Sequence, residues 1–237
     1  AANYPFATIE PNTGIAEVPD KRLAVLAEIA KTTVIKPAVV EFTDIAGLVR
    51  GASKGEGLGN QFLSHIRETD SICHVLREFT DKNVIREGAV SADEDLETIR
   101  TELQLADLST LEKQRQPKGG VDKELFVRWD YVEKFRKTLE EGRMVEADLA
   151  SYGDEDSAKK YAKELNLLTA KPEIFVINVD EDSLKDEIKE VKKWADKLKV
   201  EEKQIVVVSA KIESEIAVLS VEDQVLYLAE LGLEESG

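Results

Sequence analysis

The sequence predicts an α/β protein, a mostly parallel sheet flanked by helices, with an antiparallel helical arm inserted into it. Three observations carry this reading. Apolar, β-branched runs recur along the chain, helical patterns alternate with them, and one long stretch without strand signals interrupts the rhythm. The runs are Val39–Thr43, Ile72–Leu76, Ile174–Ile177 and Ile205–Val208. They are nearly continuous rather than alternating, as expected of parallel strands covered on both faces. Helices are expected at Asn60–Thr69, ahead of the second run, and at Leu184–Leu198, between the third and fourth. In the latter, Leu184, Ile188, Val191 and Ala195 form a stripe suited to packing on a sheet. Strands alternating with helices give a layered α/β domain. Thr13–Val18 adds a candidate short edge strand.

The region from Asp95 to Leu165 has no strand pattern. Leu96, Ile99, Leu103 and Ala106 make one helical face, and Leu125, Val132, Phe135 and Leu139 make a second. Gln116-Pro117-Lys118-Gly119-Gly120 breaks the chain between them. Two antiparallel helices joined by a turn fit this pattern, with the polar stretch Ser151–Lys160 leading back to the sheet. Such a hairpin either packs on its parent domain or projects as an arm that binds a macromolecular partner. Its charged, Lys/Glu-rich faces read as solvated.

Composition narrows the class. The chain has 237 residues, 42% hydrophobic and 34% charged, which fits a soluble globular protein with a sizeable core. No apolar run approaches the roughly 20 residues of a membrane span. Ala1-Ala2-Asn3-Tyr4-Pro5 lacks the pattern of a signal peptide, so a cytoplasmic protein without a membrane partner is expected. Cys73 is the only cysteine, which excludes an internal disulfide, and its apolar surroundings predict a buried, inert thiol. The formal net charge of −16 argues against nucleic acid spread over the whole surface, and against sequence-specific DNA binding. It leaves room for a local basic patch.

The chemistry-bearing residues cluster at strand ends. Asp44 closes the run Val39–Thr43 and Gly47 follows three residues later, with glycines at 51, 55, 57 and 59 beyond. This is the D-x-x-G arrangement of P-loop nucleotide hydrolases. The Asp reaches the shell of a Mg²⁺ ion, and the Gly amide approaches the terminal phosphate because no side chain blocks it. Thr8, in the turn-rich segment Pro5–Asn12, offers a hydroxyl for the same ion, or is part of a plain loop. Asn178-Val179-Asp180-Glu181 ends the third run, where ligands of open α/β sheets bind. Asn178 there reaches a base edge or caps a turn. Ser209-Ala210-Lys211 ends the fourth run, with amides placed to line a base pocket.

Taken together these residues resemble the YchF / Obg-like ATPase family, within the translation-factor-related class of P-loop GTPases. The resemblance runs through Ala1-Ala-Asn-Tyr-Pro-Phe-Ala-Thr-Ile-Glu-Pro-Asn-Thr-Gly14 and Phe42-Thr-Asp-Ile-Ala-Gly-Leu-Val-Arg-Gly-Ala-Ser-Lys-Gly-Glu-Gly-Leu-Gly-Asn60. It continues to Asn178-Val-Asp-Glu181 and Ala229-Glu-Leu-Gly-Leu-Glu-Glu-Ser-Gly237. It implies a Mg²⁺-dependent nucleoside triphosphatase that prefers ATP, with GTP as the alternative, and a ribosome or translation-related partner. Thr8 becomes the switch I threonine, Asp44 and Gly47 the switch II motif, and the insert a coiled-coil arm. The implied division is 1–94 and 166–237 for the two parts of the nucleotide-binding domain, with 95–165 as the arm.

Two departures bear on mechanism. Ras-like enzymes place a water-orienting Gln after D-x-x-G; Leu48 stands here and cannot hydrogen-bond. Where the family carries a loop His, the chain has Arg86, which stays protonated and cannot act as a base. Arg86 acts electrostatically on phosphate or is a solvated loop residue. In place of the guanine-reading N-K-x-D motif stand Val179 and Glu181, consistent with the family's ATP preference. No G-x-x-x-x-G-K-[ST] loop occurs in the chain, whereas the family carries one just ahead of the Ala-Ala-Asn-Tyr-Pro-Phe stretch. Its strand is expected between Val39–Thr43 and Ile72–Leu76, and a small β-rich TGS domain after residue 237. A chain without that loop is expected not to hydrolyse ATP alone. A non-enzymatic interaction module using the helical arm is the competing reading.

Overall fold

The computed structural model describes residues 12–45, 58–79, 91–119, 123–184 and 186–231. Its five strands form two sheets. Strands β1 (Asn12–Glu17) and β2 (Val39–Asp44) make an antiparallel ribbon in which Asn12 faces Asp44 and Glu17 faces Val39. Helix α1 (Arg22–Ala30) lies in the connection between them. Strands β3 (Ile72–Arg77), β4 (Glu173–Asn178) and β5 (Ile205–Val208) form a parallel sheet in that order.

All four apolar runs are therefore strands, and the parallel sheet flanked by helices is present. Val39–Thr43 departs from the expected parallel pairing. It pairs antiparallel with β1, and Val39, Val40 and Phe42 are exposed. An unbroken apolar run reports a need for burial; it does not encode the direction of the neighbouring strand.

Helix α2 (Leu58–Glu68) precedes β3, and α3 (Ala92–Glu112) follows it. Helix α3 passes through all three apolar clusters. Ala92 and Leu96 join Phe175, Ile177 and Trp194 on one face of the parallel sheet. Leu103 and Ala106 pack with Leu63 and Ile66 of α2 and with Leu168. Leu111 joins Tyr131, Val132 and Phe135 of α4 (Lys123–Glu140), together with α5 (Glu155–Glu164). Complete burial of each Leu, Ile, Val or Phe among these side chains stabilises the fold by about 1.5–3 kcal/mol before entropy is counted. The helical insert is thus rooted in the α/β core by the first half of α3.

The α3–α4 pair runs antiparallel. Gln104 of α3 reaches the carbonyl of Gly142 beyond the end of α4, while Gln114 past α3 accepts from Arg128 near the start of α4. Gly142, at φ 74°, allows the left-handed turn that ends α4. Leu125, expected on the packed face, is 47% exposed. Position 128 already faces position 114, so Leu125 lies opposite the loop, where α3 has ended.

Between β4 and β5 the expected single helix is two, α6 (Glu181–Leu184) and α7 (Glu187–Leu198). The break resets the helical phase. Ile188, expected on the buried stripe, is 84% exposed, and Trp194 is fully buried instead. Val191, Trp194, Ala195 and Leu198 form the face that meets the sheet.

The opposite face of the parallel sheet is open in part. His74 and Leu76 of β3 are buried while Val75 is 69% exposed, and Ile174 and Val206 continue the exposed side. Cys73 lies on that side and is exposed, which corrects the expectation of a buried thiol. The protein around its sulfur still pushes the thiol pKa up. Among the described residues, no helix is long and apolar enough to cross a membrane.

Candidate functional site

The carboxyl ends of β4 and β5 assemble the site. Asn178 is the last residue of β4 and pairs in register with Val208 at the end of β5. Its carbonyl accepts from the Glu78 amide just past β3 at 2.9 Å, and the next amide, Val179 N–H, donates to the Val208 carbonyl at 2.9 Å. The three strand ends are thereby fixed relative to one another.

The Asn178 side chain is fixed as well. Its Oδ1 accepts a 2.9 Å hydrogen bond from the amide of Ala210, the first residue of α8 (Ala210–Ile216). That bond orients the carboxamide, because an N–H donor must face its oxygen rather than its nitrogen. The Nδ2 edge is left as the donor side. Ser209 is buried, its carbonyl accepting from the Glu213 amide of α8. Glu181 opens α6 on the exposed side of the same strand ends. Val179 is 2% exposed and packs in the sheet core. Its side chain therefore has a core role, where the sequence placed it beside a base.

Asn178, Glu181, Ser209 and Ala210 are thus brought to one edge of the parallel sheet. Asp44 stands apart, exposed at the end of β2 in the antiparallel ribbon. Thr8, Gly47, Leu48 and Arg86 lie outside the described residues. Among the described residues no group of three or more His, Cys, Asp or Glu side chains could hold a metal ion. Mg²⁺ is commonly held by one or two carboxylates plus phosphate oxygens and water, so a single Asp44 carboxylate fits such an ion as one ligand.

Two buried polar networks escaped the sequence reading. Glu173, the first residue of β4, accepts from His74 Nε2 at 2.8 Å and from Arg100 of α3 at 2.7 Å. His74 stacks on Phe175 with ring centroids 5.2 Å apart, and the Arg100 guanidinium lies 5.3 Å from the same ring. Burial acts to raise the Glu173 pKa, but the bonds from His74 and Arg100 outweigh it, and the carboxyl falls below its ordinary value. A lowered carboxylate pKa adds stability above the unfolded-state value of about 4.3, and that stability is lost as pH drops through the folded-state value. Denaturant melts from pH 7 to pH 3 should therefore show wild type losing stability more steeply below about pH 4.3 than Glu173→Gln. Parallel curves for the two proteins would remove Glu173 from the acid response.

The second network centres on Asp107 of α3, which is fully buried. It accepts from the amides of Leu168 and Thr169 at 3.0 and 2.8 Å and from the Thr169 hydroxyl at 2.7 Å, with Arg67 4.0 Å away. Burial pushes its carboxyl above the ordinary range, against the pull of those hydrogen bonds and Arg67. A signal existed in the sequence. Asp107 lies four residues after Leu103 and four before Leu111, a charge on an apolar face.

A parallel sheet with helices packed against it, and polar groups gathered at its strand ends, is an open α/β fold of the class that binds ligands at the carboxyl edge of its sheet. Comparison with known proteins gives the particular member of that class. A family model described as "50S ribosome-binding GTPase" matches residues 1–115. "Ribosome-binding ATPase YchF" of Bacillus subtilis is 45% identical over 244 residues, covering 100% of this chain and 66% of that protein. The protein of the same name from Escherichia coli O157:H7 is 46% identical over 246 residues, covering 100% of this chain and 65% of that protein. A solved structure, "Structure of the Schizosaccharomyces pombe YchF GTPase", superposes with a TM-score of 0.71 at 32% identity. It covers 99% of this chain and 65% of the fission-yeast chain. The chain belongs to the YchF family, and it spans about two thirds of the length of these relatives.

Proposed function

We propose that this chain is the nucleotide-binding part of a Mg²⁺-dependent ATPase that associates with the ribosome in the cytoplasm. The observation that carries the reading is Asn178, locked by Ala210 at the end of a parallel strand with its donor edge left over. Adenine presents ring-nitrogen acceptors to such a donor. Asp44 and Thr8 are assigned to Mg²⁺, Gly47 to the terminal phosphate, and the backbone around Ser209 and Ala210 to the base. Leu48 cannot orient water, so hydrolysis draws on Arg86, the substrate phosphate or a partner-supplied group. The insert, 95–165, is the arm that meets the partner. ATP and the ribosome are taken from the printed names of the bacterial relatives.

GTP is the second reading, favoured because the family model and the fission-yeast structure are both described as a GTPase. Competition between ATP and GTP for the full-length protein, with and without Mg²⁺, separates the two. ATP is expected to bind more tightly, and to need Mg²⁺ for turnover. Tighter GTP binding sinks the ATP assignment, and binding of neither leaves the interaction-module reading in its place.

A further inference from the structure

We propose that Ile45 and Arg67 couple the nucleotide site to the helical insert, so that phosphate contact at the D-x-x-G segment displaces α3 and the chain returning from the insert to β4. The coupling rests on the function proposed above and names the residues through which bound nucleotide regulates the partner-binding arm.

Ile45 follows Asp44 directly and lies two residues before Gly47. The residues assigned to Mg²⁺ and to the terminal phosphate therefore flank it. With about 3.8 Å between successive Cα atoms, its backbone cannot stay still when either of them moves. The Ile45 side chain packs against a cluster built from Leu63 and Ile66 of α2, Leu103 and Ala106 of α3, and Leu168. Leu63, Ile66, Leu103 and Leu168 are each 4% exposed or less. A core packed that closely passes a displaced side chain on to its neighbours, because it has no free volume to absorb it.

Arg67 makes the polar half of the same contact. It lies in the last turn of α2, and its guanidinium donates to the Asn166 carbonyl at 2.6 Å and to the Thr110 hydroxyl of α3 at 3.4 Å. The Asp107 carboxylate is 4.0 Å away and itself accepts from the Leu168 and Thr169 amides. Lys171 completes the tie by donating to the Arg67 carbonyl at 3.1 Å and to the Thr69 carbonyl. Apart from the Thr69 hydroxyl, which donates to the Ile66 carbonyl, the side-chain hydrogen bonds at this end of α2 run to α3 or to the stretch 166–171 among the described residues. The apolar contact is non-directional and permits sliding, whereas a planar guanidinium held at two points fixes the register of α2 on α3. Helix α3 continues from there into the arm as one element, Ala92–Glu112.

The test uses the full-length protein at saturating ADP or saturating non-hydrolysable ATP analogue. Wild type is compared with Ile45→Ala, Arg67→Ala, Arg67→Lys and the Ile45→Ala/Arg67→Ala double variant. Ribosome affinity should differ between the two nucleotides by about 5-fold or more in wild type, the usual size of a coupling, and by less than about 2-fold in either Ala variant. Arg67→Lys keeps a charge near Asp107 without the planar fork and should fall between; it carries the test if Arg67→Ala fails to unfold cooperatively. Because both residues serve one contact, the double variant should lose no more than either single variant. Hydrogen exchange reads the coupling without ribosomes. Protection of the Leu168 and Thr169 amides should differ between the two nucleotides in wild type and not in Arg67→Ala.

A wild-type affinity ratio in folded Arg67→Ala would overturn the proposal and leave the ribosome reading intact. Equal ribosome affinity with either nucleotide in wild type would do the same. A wild type that binds no ribosomes, yet shows an exchange response that Arg67→Ala lacks, would keep the coupling and sink the ribosome reading.

Discussion

Asp107→Ala is expected to lower the unfolding free energy by about 3 kcal/mol and the melting temperature by roughly 6–12 °C. The carboxylate is fully buried and accepts from the Leu168 and Thr169 amides and the Thr169 hydroxyl. Truncation leaves two backbone donors without acceptors just ahead of β4, each costing about 1–3 kcal/mol when buried. The hydroxyl can rotate to another partner and the amides cannot, so the amides set the size of the loss. Asp107→Asn keeps the volume but offers one acceptor oxygen and turns an NH₂ group toward donors. It should fall between wild type and the Ala variant. The damage should be regional, because Asp107 ties α3 to the segment entering β4 across 61 residues of sequence. Calorimetry checks this. A melting temperature within about 2 °C of wild type for Asp107→Ala would mean that water satisfies the freed amides.

Much of the fold was legible because apolar runs and helical stripes report local burial. All four runs became strands, and the parallel order β3-β4-β5 follows from the helices between them. The failures at the strands needed information about the partner, and the one at Ile188 needed the position of a helix break. Val39–Thr43 carried the composition of a buried parallel strand and pairs antiparallel in an exposed ribbon. Cys73 and Val75 belong to an apolar run whose two sides are covered unequally. Ile188 fell out of phase because the helix breaks between Leu184 and Glu187. Asn178 is the last residue of its strand and Ala210 lies two residues beyond the end of the next, positions that the apolar runs mark in the sequence. Their hydrogen bond was invisible, because it depends on the β4–β5 register. Asp107 was visible only as an anomaly, with acceptor and donors far apart in sequence. Burial of Val179 could not be separated from its motif position, since the motif fixes where the backbone goes and not which way a side chain turns.

Asn178→Ala in the full-length protein is expected to weaken nucleotide binding by about 10- to 100-fold, the loss of one or two good hydrogen bonds to the base. Two effects are mixed in that number. The side chain holds the Ala210 amide through Oδ1 at 2.9 Å, so removing it loosens the junction between β4 and α8. It also presents Nδ2 as a donor, so removing it takes away base recognition. Asn178→Asp separates the two. An Asp carboxylate oxygen can accept the same Ala210 amide bond, with stronger charge assistance, so the junction should stay in place and stability should remain within about 0.5 kcal/mol of wild type. The donor edge, however, becomes an acceptor, and a ring-nitrogen acceptor of adenine would face a carboxylate it cannot bond. Affinity should therefore fall in Asn178→Asp at least as far as in Asn178→Ala, with the fold intact. Wild-type affinity in Asn178→Asp would show that Asn178 serves only to fix the strand ends. Wild-type affinity in both variants would show that the base is bound elsewhere.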